Sequence, residues 1–361
     1  MIAVIGSVMV CVDVRLRPPK RDVELQKKQD EEALRQAGID PATGKKIASD
    51  EKELEGFRQF YERTMSQQAS EDYWSEVGMG TSQFGGYEPV VEDKDTDIQV
   101  VNTGCAYNVA GYLAKDHGQT VKFISLIGDD ALGHGAKSEL EKAGVDTAGL
   151  RITAGCTPVA VEIHNIIGDL QFQRENSSLL EQLTPDVIDE NADVLEAAEA
   201  IFVDGTLPVE TLNYISDQYA AKTRIFFDPG SIGGGSRFAA SEMNAFCVLP
   251  GRMEAEAMSE QQVLGMDQLM AAGQAFEERG VEKVIITLKG GGLYYKEGTQ
   301  SGLKKPERNL TFADTKGAGD VLTAAVIAAF AGGEESLEAA AGAGMAAAAD
   351  FLKDAVDERQ Y

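Results

Sequence analysis

The chain has 361 residues, 33 basic against 59 acidic for a formal charge of −26, and 43% of them are hydrophobic. That length and apolar fraction suit a globular protein with a substantial buried core, as one large domain or two ordinary ones. The acidity argues against nucleic acid or an anionic membrane as partners, and any anionic ligand needs a local positive site working against the global field.

The opening MIAVIGSVMVCVDV is apolar, carries Asp13, has no basic leader and is too short to cross a bilayer, so it reads as one buried strand. No other run approaches roughly 18 continuous apolar residues, so no membrane span is expected. Residues 20–78 are dense in both charge signs and divided at GIDPATGKK, which reads as a turn. Two solvent-exposed helices account for that segment, the second anchored by Phe57, Phe60, Tyr61 and Trp74. Residues 81–103 alternate enough to supply strands.

Beyond residue 104, short β-rich runs alternate with helical patterns: VKFISLIGDD, AIFVDGTLP, RIFFDPGS, AFCVLPG and KVIITLKGGG. Alternation of this kind predicts βαβ units, hence a three-layer α/β/α fold with a mostly parallel central sheet. In such a sheet the loops after the strands' carboxyl ends form the ligand crevice, and Asp129, Asp228, Gly251 and Lys289 all occupy such loops. The stretches ALGHGAKSELEKAGV and DQLMAAGQAFEERGV predict helices ended by glycine. Cys11, Cys105, Cys156 and Cys247 are far apart and read as small buried thiols of a cytoplasmic protein. His117, His134 and His164 are equally scattered, a pattern that is ordinarily structural.

Near the end, DTKGAGD precedes a long helix of small apolar residues. Asp320 could simply cap that helix over 321–330. Alternatively, the N–H groups of Gly317, Ala318 and Gly319 form an anion hole for a phosphoryl group, with Asp320 beside it as general base. Phosphoryl transfer asks for little else, since alignment and charge stabilisation supply most of the catalysis.

DTKGAGD resembles the signature of the ribokinase-like, PfkB-type carbohydrate kinases. Further stretches resemble that family in the same order: VIGSVMVCVDV, NTGCAYNVAGYLAKDHG, SLIGDDALGHGAKSELEKAGVDT and ITLKGGGLYY. The resemblance implies a kinase core over 1–13 and 104–361, and a lid region over 14–103. Within that region, 20–78 would be a helical insertion and 81–103 the strands of a small β lid. It further implies ATP and Mg2+ as cofactors, with K+ as an optional ion, and a sugar, sugar acid or nucleoside as substrate.

By the same resemblance Asp13, Gly104 and Asn108 face the substrate, and Lys289, Gly290, Gly292, Thr315 and Lys316 lie by the nucleotide. Glu254 would act on Mg2+ through water. Subunit pairing through the lid region, giving a homodimer, is the expected assembly. Three positions depart from the family pattern: Gly251 replaces an Asn, Lys289 a Gly, and Cys105 the second glycine of the substrate-side pair. These departures keep a second reading open, a ligand-binding or regulatory protein with a degraded nucleotide site. A third is an assembly protein that uses the inserted helices as its interface.

Overall fold

The computed structural model describes residues 1–16, 96–164, 170–288, 292–305 and 316–357. The expected helices of 20–78, the first part of segment 81–103, Lys289, Gly290 and Thr315 lie outside the described residues. The strands are β1 Ile2–Ile5, β2 Met9–Leu16, β3 Thr96–Thr103, β4 Val121–Gly128, β5 Asp146–Thr153, β6 Val159–His164 and β7 Leu170–Asn176. After them come β8 Ala200–Asp204, β9 Arg224–Asp228, β10 Cys247–Val248, β11 Lys283–Leu288, β12 Gly292–Glu297 and β13 Gln300–Lys304.

Nine strands form one sheet in the order β13-β12-β11-β10-β9-β8-β1-β4-β5. The run from β11 to β5 is parallel, and the β12-β13 hairpin closes the other edge antiparallel. Every residue of β1 and β8 is buried, which follows from continuous apolar sequence in strands covered on both faces. The α/β alternation expected from the sequence is therefore the architecture.

Contacts divide the chain into two units. The larger takes Met1–Cys11, Val101–Ala160 and Glu175–Tyr361; the smaller takes Val12–Val100 and Val161–Arg174. In the latter region β3, β2, β6 and β7 hydrogen-bond in that order. Strands β6 and β7, absent from the lid segment expected from sequence, thus join it.

The opening run is two strands in two sheets, where sequence suggested one. Gly6 and Ser7 separate them because the chain there closes on the carboxylate of Asp204: a Cβ on Gly6, whose φ is 152°, would lie 2.4 Å from Asp204 Cγ. Only glycine permits that approach.

The helix Ala318–Ala331 explains the small apolar residues noted in the sequence. Val321, Leu322, Ala324, Ala325, Val326, Ile327 and Phe330 are all buried, so the helix is covered on most of its circumference. Phe330 packs with Phe226 and Phe246 at centroid separations of 5.8 and 5.2 Å. This anchors the helix to the end of the sheet opposite its own N-terminus. The helix begins at Ala318 with Gly317 at its N-cap, earlier than the 321 start expected, so Gly319 and Asp320 belong to the first turn.

Candidate active site

Three carboxylates converge in the larger unit. Asp204 and Asp228 are the last residues of β8 and β9, paired across the sheet, and Asp320 enters from the first turn of Ala318–Ala331. Burying charge here is costly, so each carboxylate has to be hydrogen-bonded. Asp204 is fully buried and accepts from Ser7 N at 2.8 Å, Ser7 Oγ at 2.6 Å, Ala106 N at 3.1 Å and Thr206 N at 3.0 Å. Thr206 Oγ1 donates to it as well. One side chain thus ties β8 to the Gly6–Ser7 break and to the start of the helix Cys105–Lys115.

That helix carries Asn108 in its first turn. Asn108 Nδ2 donates to Asp320 Oδ2 at 2.7 Å. Asp228 accepts from Gly230 N at 3.0 Å and from Thr323 Oγ1 at 2.9 Å, and Thr323 lies one turn beyond Asp320 on the same helix. Cys105, at the start of the same helix as Asn108, packs against the loop after β9: a Cβ on Gly230 would lie 3.1 Å from Cys105 Cβ and 3.7 Å from its Sγ. Burial first, then the Asp228 and Asp204 charges, push the Asp320 carboxyl up to about 7 against the hydrogen bond of Asn108. Burial raises Asp228 too, and burial together with the three carboxylates raises the Cys105 thiol.

A carboxyl titrating near neutrality can exchange a proton at physiological pH. It stands at a helix start, where the first N–H groups have no intrahelical acceptor and the helix dipole favours an anion. Gly317 adopts φ 83°, in the left-handed region that glycine tolerates, and Gly319 is exposed. Chemically, the arrangement can hold an oxyanion at the backbone and accept a proton beside it.

The other sequence-predicted residues are placed as follows. Gly104 is the N-cap of Cys105–Lys115, and Gly292 opens β12. Lys316 Nζ lies 3.6 Å from Cys11 Sγ. Glu254 is the third residue of the helix Arg252–Ser259, where its carboxylate accepts from Gly251 N and caps its own helix. Asp13 does not end the first strand; it sits within β2, in the smaller unit. Its Oδ1 faces His164 Nδ1 at 3.0 Å, and its Oδ2 accepts from Arg15 Nε at 3.1 Å and Nη2 at 2.8 Å. His164 Nε2 is 3.9 Å from Glu162 Oε2. Asp13, Glu162 and His164 could gather donor atoms on a metal ion, but with donors on both oxygens of Asp13 the group reads as an ion-paired network.

The sequence profile of the pfkB family carbohydrate kinases matches residues 81–353. The chain belongs to this family. Pseudouridine kinase of Escherichia coli (strain K12) is 22% identical over 268 residues, covering 73% of this chain and 85% of that protein. An ATP-dependent ribose-1-phosphate kinase of Halopiger xanaduensis is 29% identical over 230 residues, covering 62% of this chain and 72% of the other. Arabidopsis thaliana ribokinase, solved in complex with ribose and ATP, superposes with a TM-score of 0.66 at 15% identity, over 98% of this chain and 92% of that one. The fold is accordingly that of the ribokinase-like kinases.

Two residues of these networks escaped the sequence reading. Asp204 has no motif around it; its only signal is an aspartate directly closing a fully apolar strand, in AIFVD, a pattern repeated at Asp228 in RIFFD. His164 read as a lone histidine, and its partner lies 151 positions away. The cysteines are also less uniform than expected: Cys11 and Cys247 are buried, Cys105 is half-buried and Cys156 is exposed. Cys156 follows Gly155 in the loop after β5, where the chain has left the sheet.

Proposed function

We propose that this chain is an ATP-dependent kinase that phosphorylates a hydroxyl of a small unphosphorylated sugar, sugar acid or nucleoside. Asp320 acts as the general base, and the backbone of Gly317, Ala318 and Gly319 receives the transferring phosphoryl group. Asn108 orients the Asp320 carboxylate and, with Asp13 and Gly104, meets the substrate's hydroxyls. Lys289, Gly290, Gly292, Thr315 and Lys316 serve the nucleotide.

The observation that carries this reading is the Asp320 carboxyl, held at 2.7 Å by Asn108 at the start of a glycine-capped helix and pushed up to about 7. A regulatory protein has no use for a base poised at that spot. Support for ATP comes from the family and from the ribokinase solved with ribose and ATP. Oxygen ligands suit a hard cation, so Glu254, its carboxylate already oriented by the Gly251 N–H, would hold Mg2+ through water. Bound there, Mg2+ would neutralise charge on the phosphates. The relatives named for pseudouridine and ribose-1-phosphate leave the substrate broad. An unphosphorylated acceptor is favoured because Arg15 is engaged by Asp13. We further place the protein in the cytoplasm as a homodimer pairing through residues 14–103.

The test is ADP production with MgATP across free sugars, sugar acids and nucleosides, with Asp320→Asn beside the wild type. Turnover on one acceptor that vanishes in the variant, with acceptor binding retained, supports the reading. Equal turnover in the variant overturns the role of Asp320, and absence of both turnover and ATP binding favours the regulatory alternative.

A further inference from the structure

We propose that Tyr112 is a further catalytic residue of this site, its hydroxyl donating a hydrogen bond to the phosphoryl oxygens received at the helix start over Gly317, Ala318 and Gly319. The inference rests on the reading of that helix start as the phosphoryl site and adds a side-chain donor to its backbone N–H groups.

Tyr112 lies on the helix Cys105–Lys115, four residues beyond Asn108, so the two side chains share one face. Through that face the helix meets the start of Ala318–Ala331 at two neighbouring points. Asn108 Nδ2 donates to Asp320 Oδ2 at 2.7 Å, and one turn further on the Tyr112 hydroxyl stands beside Gly317, the N-cap. A Cβ on Gly317 would lie 3.7 Å from Tyr112 Oη and 3.4 Å from Phe351 Cζ, so the glycine keeps the hydroxyl against bare backbone. The ring is held from its other side. Phe351, on the helix Leu337–Asp357, meets it edge-on, with centroids 6.1 Å apart and planes at 78°.

Tyr112 is half-buried, and among the described residues no group accepts from its hydroxyl, which leaves a donor to spare beside an anion site. Burial first, then the Asp320 and Asp116 charges, push the phenol up to about 12, so it keeps its proton at neutral pH. A cation at the same point would lower the proton affinity of Asp320. A phenol stabilises an oxyanion without doing so.

Tyr112→Phe removes one oxygen and keeps the ring on Phe351, so the fold is retained. Calorimetry on the full chain compares the variant with the wild type, using MgADP alone and MgADP with orthovanadate, whose oxygens stand in for those of the transferring phosphoryl group. The variant should bind MgADP as the wild type does and the vanadate pair roughly tenfold more weakly. On the acceptor found by ADP production it should lose on the order of 10²-fold in kcat, with the acceptor KM unchanged. A merely structural Tyr112 would instead lower Tm and weaken both ligands together, which overturns the proposal. Equal vanadate affinity or an unchanged kcat in the variant also overturns it, and leaves the kinase reading standing. A wild type that gains nothing from vanadate and turns over no acceptor overturns the phosphoryl site itself, and this proposal with it.

Discussion

Replacing Asp204 by Asn exchanges one acceptor oxygen for an amide donor at a position where five donors converge. Its Oδ2 accepts from Ser7 N, Ser7 Oγ and Ala106 N, and its Oδ1 from Thr206 N and Thr206 Oγ1. Hydroxyls can turn round and accept; backbone N–H groups cannot. The least damaging placement puts the new NH2 against Thr206, leaving the Thr206 N–H unpaired at a cost of about 1–3 kcal/mol. The remaining bonds change from charge-assisted to neutral and lose roughly half their strength, while relief from burying a charge returns part of that. A net loss of about 3 kcal/mol results, or about 6–12 °C in Tm for a unit of this size. Thermal and urea unfolding of Asp204→Asn against the wild type measure it. A loss below about 2 °C would refute the view that this carboxylate ties β8, the Gly6–Ser7 break and the Asn108 helix together.

The pH dependence of stability gives a second expectation. Asp320 titrates at about 7 when folded, so the folded chain holds this proton more tightly than the unfolded one, whose carboxyl has its ordinary value of about 3.9. The contribution is full below about pH 4 and is lost as pH rises through 7, on the order of 2 kcal/mol for a half-buried carboxyl. Urea melts should therefore find Asp320→Asn more stable than wild type at pH 8 and level with it at pH 4; equal stability at both would contradict the raised pKa. Glu254 separates two roles by its replacements. Glu254→Gln keeps a cap on Gly251 and should leave Tm unchanged while raising the Mg2+ needed for half-maximal turnover, whereas Glu254→Ala should also lose about 1 kcal/mol of stability. An unchanged Mg2+ requirement in both variants would assign Glu254 to capping alone.

What the sequence made legible was local. GAGD, Gly104 and Asn108 stand in contiguous motifs, and the apolar strand runs announce a parallel sheet because each is written in one short, unbroken stretch. The features that escaped depend on chain segments brought together only by the fold. Asp204 gathers donors from residues 7, 106 and 206. Asp13 and His164 meet through pairing of β2 with β6, which no spacing in the sequence encodes. The break at Gly6–Ser7 was visible as GS inside an apolar run, but it became meaningful only once Asp204 stood against it. Asp228, read in the loop after a strand, closes β9 itself, and its bond from Thr323, on the helix that carries Asp320, required the helix and the sheet together.

The division of the chain carries a consequence for how the protein is made. The path passes between the two units after Cys11, Val100, Ala160 and Arg174, so neither is a contiguous piece of polypeptide. The first strand of the smaller unit emerges from the ribosome early, yet β6 and β7, with which it forms a sheet, follow some 150 residues later. Likewise β1 waits for β8, its neighbour in the large sheet, through the synthesis of almost two hundred residues. Until then the apolar segment of β1 and β2 has unpaired strand edges, so the pairing of both sheets waits on residues far along the chain.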